Sequence, residues 1–187
     1  METRNHLPLV GRSKNPTDFS GGGKPIRIVC PPPDVLASLR ASTSPQGGGD
    51  CIVRIARSWI GTPYVHQASV KGAGCDCLGL LRGVWRELRG DEPEEPPAYS
   101  PDWAEASGRE TLYRALSRHL TEIAPVALAQ GDIALFRMAR TGPAKHCGIL
   151  AMRDGAPTLI HARQNRRVSE EPFGPFWRAR LAYAFRL

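Results

Sequence analysis

No run of about 18 apolar residues occurs anywhere in the chain, and its first residues, METRNHLPLVGRSKNP, hold no apolar stretch of the kind a secretory leader carries. Neither a membrane span nor a signal peptide is readable, so the expectation is a protein made in the cytoplasm. Cysteine is scarce, with five in 187 residues at positions 30, 51, 75, 77 and 147. That number is too small, too unevenly spaced and odd, which excludes a secreted disulfide framework and makes reduced thiols the expectation. Lysine is nearly absent, since 21 of the 25 basic residues are arginine. A basic stripe interleaved with aromatics is missing as well. The net charge of +7 is segregated instead: residues 91–110 carry seven acidic groups and one basic, whereas residues 163–187 carry six basic and two acidic. Specific nucleic-acid recognition is therefore not expected. No internal repeat is present.

What the chain does have is glycine and proline, 19 and 17 residues, unevenly spread. Residues 1–50 contain seven of each, including Gly21–Gly23, Pro31–Pro33 and Gly47–Gly49. This composition predicts an extended arm over residues 1–50 and one domain over 51–187, long enough to bury a core. Apolar residues at 41% and charged residues at 23% sit near globular averages, which excludes wholesale disorder, collagen and coiled coil.

Along the domain, CIVRIARSWI places Ile52, Ile55, Ala56 and Trp59 on one helical face from residue 51, and Gly61-Thr62-Pro63 ends that helix. A loop follows up to Asp76, the natural N-cap of a second helix, CLGLLRGVWRELRG, with Leu78, Leu81, Val84, Trp85 and Leu88 facing inward. Residues 90–107 bring four more prolines and dense acid, an exposed excursion. A third helix is predicted over 108–122. Short apolar or alternating runs then mark strands near 132–138, 146–152 and 157–163, with two more near 166–169 and 178–186. Helices first and strands afterwards predict an α+β domain with helices packed on an antiparallel sheet.

Cys77 opens the second helix directly after a capping aspartate. There a thiol meets the positive helix end and unpaired backbone N–H groups, which favour the thiolate and would also hold an oxyanion. Gly79 and Gly83 cost helix stability and make sense where something approaches closely. His146 opens one predicted strand and His161 ends the next, so adjacent antiparallel strands would bring the imidazoles together as a base and its orienting partner.

These residues resemble the signature blocks of the NlpC/p60 family of papain-like cell-wall cysteine peptidases: Asp76-Cys77-x-Gly79-Leu80 at a helix start, His146-x-Gly148-Ile149 opening a strand, and Ile160-His161-Ala162 on the following strand. Gly61-Thr62-Pro63-Tyr64 resembles the block of the family's active-site tyrosine, and Gly131-Asp132 the turn before its central strand. The likeness covers about residues 51–165. The string PYVHQASVKGAGCDCLGLLRGVW is similar to the subgroup found in tailed phages and gene transfer agents, where such peptidases sit at the tail tip. The resemblance implies a papain-like fold, Cys77 as nucleophile, His146 as general base and acid, His161 as the orienting third member, and Tyr64 near the oxyanion site. It further implies a peptidoglycan stem peptide as substrate, no cofactor, tail hub or baseplate proteins as partners of residues 1–50, and action in the cell wall or periplasm of a recipient cell after assembly into a particle in the cytoplasm.

Two other readings compete. Cys75, Cys77, His146, Cys147 and His161 hold thiolate and imidazole metal ligands, but Cys-x-Cys has the wrong spacing for a zinc knuckle, and residues 146 and 147 of one strand point to opposite faces. The second is a catalytically silent docking module of a tail or baseplate that keeps the fold alone. No role is read for Cys75.

Overall fold

The computed structural model describes residues 46–99 and 108–187. The predicted arm up to residue 45 and the acidic stretch 100–107 lie outside the described residues. Helix α1 spans Gln46–Arg57, α2 Cys77–Arg89, α3 Thr111–Ser117 and α4 Pro175–Arg178. A two-stranded hairpin, β1 (Ser69–Val70) and β2 (Gly74–Cys75), occupies the region expected to be loop. The main sheet holds β3 (Thr121–Ile123), β4 (Ile133–Arg137), β5 (Ala144–Arg153), β6 (Ala156–His161), β7 (Ser169–Pro172) and β8 (Leu181–Arg186). Its order is β3-β8-β4-β5-β6-β7, antiparallel throughout, so the expected α+β architecture is observed.

Gly47-Gly48-Gly49, read from composition as the end of a tether, is the first turn of α1 instead. The reason is contact. A Cβ at Gly49 would overlap the Gln130 carbonyl oxygen, and Gly131, at φ +88°, lies against Gly49 from the other side. Glycine here serves close backbone approach rather than flexibility. Downstream, the inward face of α1 is as predicted, with Ile52, Ile55 and Ala56 buried, and Trp59, in the turn just past the helix end, is buried with them. Cys51 beside them is disulfide-bonded, which corrects the expectation of reduced thiols throughout. Cys75, Cys77 and Cys147 are free.

On α2, Leu80, Leu81 and Val84 are buried and Leu78 and Leu88 pack against the same core, so of the predicted inward set Trp85 is the exception. Trp85 lines, with Leu78 and Leu81, a largely apolar cavity of about 600 Å³ between α2, α3 and residues 92–99. That last segment is pinned, not free. Glu92 binds Arg82 and Arg86 of α2, and Glu94 pairs with Arg118 at 2.5 Å. Helix α3 is shorter than predicted, because Thr121–Ile123 leaves it to pair with β8 at the sheet edge. The strand expected at 166–169 is displaced to β7, and the stretch from 178 begins as the end of α4.

Strand alternation divides the sheet into two apolar faces. Ile133, Leu135, Cys147, Ile149, Ala151 and Ile160 join α1 and α2 in one core. Ala134, Phe136, Leu150 and Leu159 join Phe173 and Trp177 in another on the opposite side. Among the described residues, no helix is long and apolar enough to cross a membrane.

Candidate active site

Three devices place the thiol. Asp76 caps α2, its Oδ1 accepting the Gly79 N–H at 2.7 Å, so Cys77 is the first helical residue as predicted. A Cβ at Gly79 would overlap the Ala68 carbonyl oxygen, and one at Gly83 would enter the Trp59 indole. Both glycines let α2 seat against its neighbours. The third device is in β5. Arg137 pairs with Ala144 and Phe136 with His146, which leaves Lys145 as an extra residue in a bulge. Bulges twist a strand and re-aim the side chains beside them. Here the Cys77 Sγ lies 4.0 Å from the Lys145 carbonyl oxygen.

His146 and Cys147 point to opposite faces of β5, as the alternation rule requires, yet both reach Cys77. The rule was a reason against one metal site holding both side chains, and contact with one thiol is a different arrangement. The rule applies within a regular strand, and the bulge sets both residues at the strand end, beside the helix N-terminus. Their influence on the Cys77 thiol is direct. The Cys77 thiol is held well below its ordinary pKa, first by a hydrogen bond from the Cys147 thiol, against the opposing effect of burial, and then by a hydrogen bond and positive charge from His146. Cys147 is pushed up correspondingly by that hydrogen bond and by burial, so it stays a proton donor. The Cys147 S–H also has the Cys77 carbonyl oxygen as an acceptor, 3.3 Å away.

Behind His146 stands His161. Their Nε2 and Nδ1 atoms are 2.8 Å apart, a hydrogen bond between adjacent strands. His161 is wholly buried, and burial, followed by the neighbouring His146 and Arg163 charges, pushes its pKa down to about 3. It is neutral at any ordinary pH. The two imidazoles thus meet, as their place on adjacent antiparallel strands suggested.

No protein-family model matches the chain. Among solved structures, the NlpC/p60 domain of the peptidoglycan hydrolase SagA superposes with a TM-score of 0.53 at 23% identity, covering 74% of this chain and 98% of that one. An NlpC/p60 family protein from Bacillus cereus ATCC 10987 gives a TM-score of 0.52 at 22% identity, covering 74% of this chain and 39% of that one. The chain has the NlpC/p60 fold. In sequence, 147 residues, 78% of the chain, are 24% identical to the gamma-DL-glutamyl hydrolase of Bacillus subtilis (strain 168). They span 31% of that relative, about a third of its length.

Within this NlpC/p60 fold, Tyr64 is tied to Cys75 by an isolated bridge and packs against the core that includes Cys77. Burial, with the charges of Asp76 and Cys77 behind it, raises the phenol's pKa, which keeps it a donor beside the thiol. Cys75 sits buried in β2, pushed up to about 12 chiefly by burial, an inert thiol. His66 stands beside the helix cap: its Nε2 is 2.8 Å from the Tyr99 carbonyl oxygen and its Nδ1 is 3.6 Å from Asp76 Oδ2. Among the described residues, no group of three or more His, Cys, Asp or Glu side chains is arranged to hold a metal ion.

Sequence reasoning missed four contributors. Tyr99, in the acidic segment, donates its hydroxyl to Asp76 Oδ2 at 2.6 Å, the same oxygen that accepts the Gln67 N–H at 2.8 Å. Asp76 therefore ties α2, the 64–68 loop and residue 99 together. Cys147 supports the thiolate, and Glu171 and Trp177 lie behind the histidines. Only Cys147 had a readable signal, its place directly after His146.

Proposed function

We propose that the chain is a cysteine hydrolase that cleaves an amide bond of peptidoglycan stem peptides. The observation that carries this reading is the Cys77 thiol at the N-terminus of α2, held low by Cys147 and His146, with His161 hydrogen-bonded behind His146. Cys77 attacks the amide carbonyl carbon as His146 takes the thiol proton. The oxyanion gathers beside the Cys77 N–H, with the Tyr64 hydroxyl near. His146 then protonates the leaving amine, and a water deprotonated by His146 hydrolyses the thioester to a carboxylate and the free thiol. The fold it shares with the NlpC/p60 domain of a peptidoglycan hydrolase supports the substrate class. The name of the Bacillus subtilis relative favours a γ-glutamyl linkage as the bond.

The test is digestion of purified peptidoglycan read by mass spectrometry, with Cys77→Ala beside the wild type. Turnover should fall by at least about 10³-fold in the variant; equal release of fragments by both proteins would sink the cysteine mechanism, and unchanged muropeptides with wild type would sink the substrate.

The setting we propose is the tail of a phage-like particle or gene transfer agent, where residues 1–50 dock on a hub or baseplate protein and the domain opens a recipient cell wall for DNA delivery. The likeness of residues 63–85 to tail-associated members supports it. Deleting residues 1–45 should spare hydrolysis of isolated peptidoglycan and abolish incorporation into particles; retained incorporation would refute the docking role.

A further inference from the structure

The face of the sheet away from α1 and α2 carries more polar machinery than the thiol mechanism so far uses. We propose that Glu171 is a positioning residue, whose carboxylate fixes the ring tautomer of His161 and, through it, the tautomer that makes His146 a base for Cys77. The inference rests on the reading of Cys77 as nucleophile.

Glu171 lies on β7, and its Oε1 is 3.3 Å from His161 Nε2, the ring nitrogen not used by His146. The contact lacks the alignment of a full hydrogen bond, and this buried nitrogen has no other partner among the described residues. Hydrogen bonds of a catalytic chain are commonly long before substrate arrives and tighten afterwards. The carboxylate is itself held in place. Trp177 Nε1 donates to the same Oε1 at 2.6 Å, and Arg163 Nη1 stands 3.8 Å from it. The Trp177 ring also stacks on His146 at 5.4 Å and meets His161 edge-on at 4.8 Å. One residue of α4 thus packs both imidazoles and anchors the carboxylate. The charged and titratable groups facing His161 are His146 from β5, Arg163 after β6 and Glu171 from β7; α4 presents the uncharged indole.

Proton counting gives Glu171 its role. His161 is neutral and carries one ring proton. A carboxylate only accepts, so the proton belongs on Nε2, facing Glu171. His161 Nδ1 is then a lone pair and must accept from His146 Nε2–H across the 2.8 Å contact. That leaves His146 Nδ1 for Cys77: a lone pair when it takes the thiol proton, an N–H once the imidazolium faces the thiolate. Without the carboxylate, the His161 proton is free to sit on Nδ1. His146 Nε2 then has to be the lone pair, and the ring's own proton moves to the nitrogen needed as base.

Nitrogen-15 spectra of the wild-type protein, read at the ring nitrogens, should show His161 protonated at Nε2 near neutral pH; protonation at Nδ1 overturns the proposal. Glu171→Leu should lower kcat by about 10- to 100-fold with KM unchanged, and should shift the acidic limb of the pH profile for Cys77 alkylation by iodoacetamide. Glu171→Gln, which keeps an oxygen acceptor, should return most of both. A folded Glu171→Leu protein with wild-type kcat and alkylation profile overturns the proposal, as does a Glu171→Gln variant as impaired as Glu171→Leu. Spectra and alkylation need no peptidoglycan, so a protein inert on cell wall but with these signatures would lose the proposed substrate and keep the role of Glu171.

Discussion

The two faces of the sheet contribute to one site by different physics. Toward α1 and α2, the sheet offers Ile133, Leu135, Ile149, Ala151 and Ile160, and the helices answer with apolar side chains of matching volume. That face fixes where the N-terminus of α2 sits, hence where the thiol sits. Toward α4, the sheet offers Phe136 and Leu159 with His146 and His161 between them, and Trp177 and Glu171 complete the layer. In the proposed mechanism, that face holds the imidazoles that move protons. The two faces come together at the β5 bulge, with Cys77 on one side and His146 on the other. A packing error on the helix face should therefore cost stability, and a lost polar group on the other should cost turnover.

His161→Ala gives the largest separation: kcat should drop about 100-fold or more, measured on purified peptidoglycan, and a loss of only a few-fold would remove His161 from the chain of proton transfer. Gly83→Ala forces a methyl group into the Trp59 ring and should lower unfolding free energy in denaturant melts by about 2 kcal/mol. Turnover per folded molecule should survive. A Gly83→Ala protein as stable as wild type but inactive would break the division between the faces. A third measurement uses acid. Glu170, beside Arg57 and Arg153, has its carboxyl pulled down to about 2, first by the hydrogen bond from Arg57, from an ordinary 4.5. A depressed carboxyl stabilises the fold above its unfolded pKa and loses that effect as pH falls through the folded one. Wild type should exceed Glu170→Gln by about 2 kcal/mol at neutral pH, with the gap closing between about pH 5 and 2; a constant gap would show that the ion pairs are not its source. The smallest effect belongs to Cys147→Val, which keeps the volume and removes the S–H. Its Cys77 alkylation midpoint should move to higher pH, with activity down about 2- to 5-fold near neutrality.

The sequence made the helix-face site legible because its signals are local. A capping aspartate, a following cysteine and glycines three and seven residues on describe one helix start, and that start is where they predict. The histidine pair was legible for a similar reason, since consecutive strands of an antiparallel hairpin are the easiest partners to anticipate. What stayed hidden depends on distant segments meeting. Glu171 and Trp177 come from β7 and a four-residue helix, neither with a pattern that points to His161. Tyr99 reaches Asp76 from an acidic, proline-rich stretch whose composition suggested solvent. The bulge at Lys145 left no mark in the alternation, so the approach of Cys147 to Cys77 was not legible. Gly47–Gly49 misled because glycine serves both flexible linkers and tight backbone contact, and only the position of Gln130 distinguishes them.

The glycine turn at the start of α1 has a kinetic consequence. Each helical glycine costs about 1 kcal/mol against alanine, so this turn should be the first to fray and its amides among the fastest in the domain to exchange with solvent. Yet Gly49 is also what the Gln130–Gly131 corner rests on, and Gly131 donates its own N–H to Leu150 of β5. Opening of a weak helix end would loosen a corner bonded to the strand that carries His146, so solvent exchange at residues 47–49 becomes a gauge of motion close to the active site.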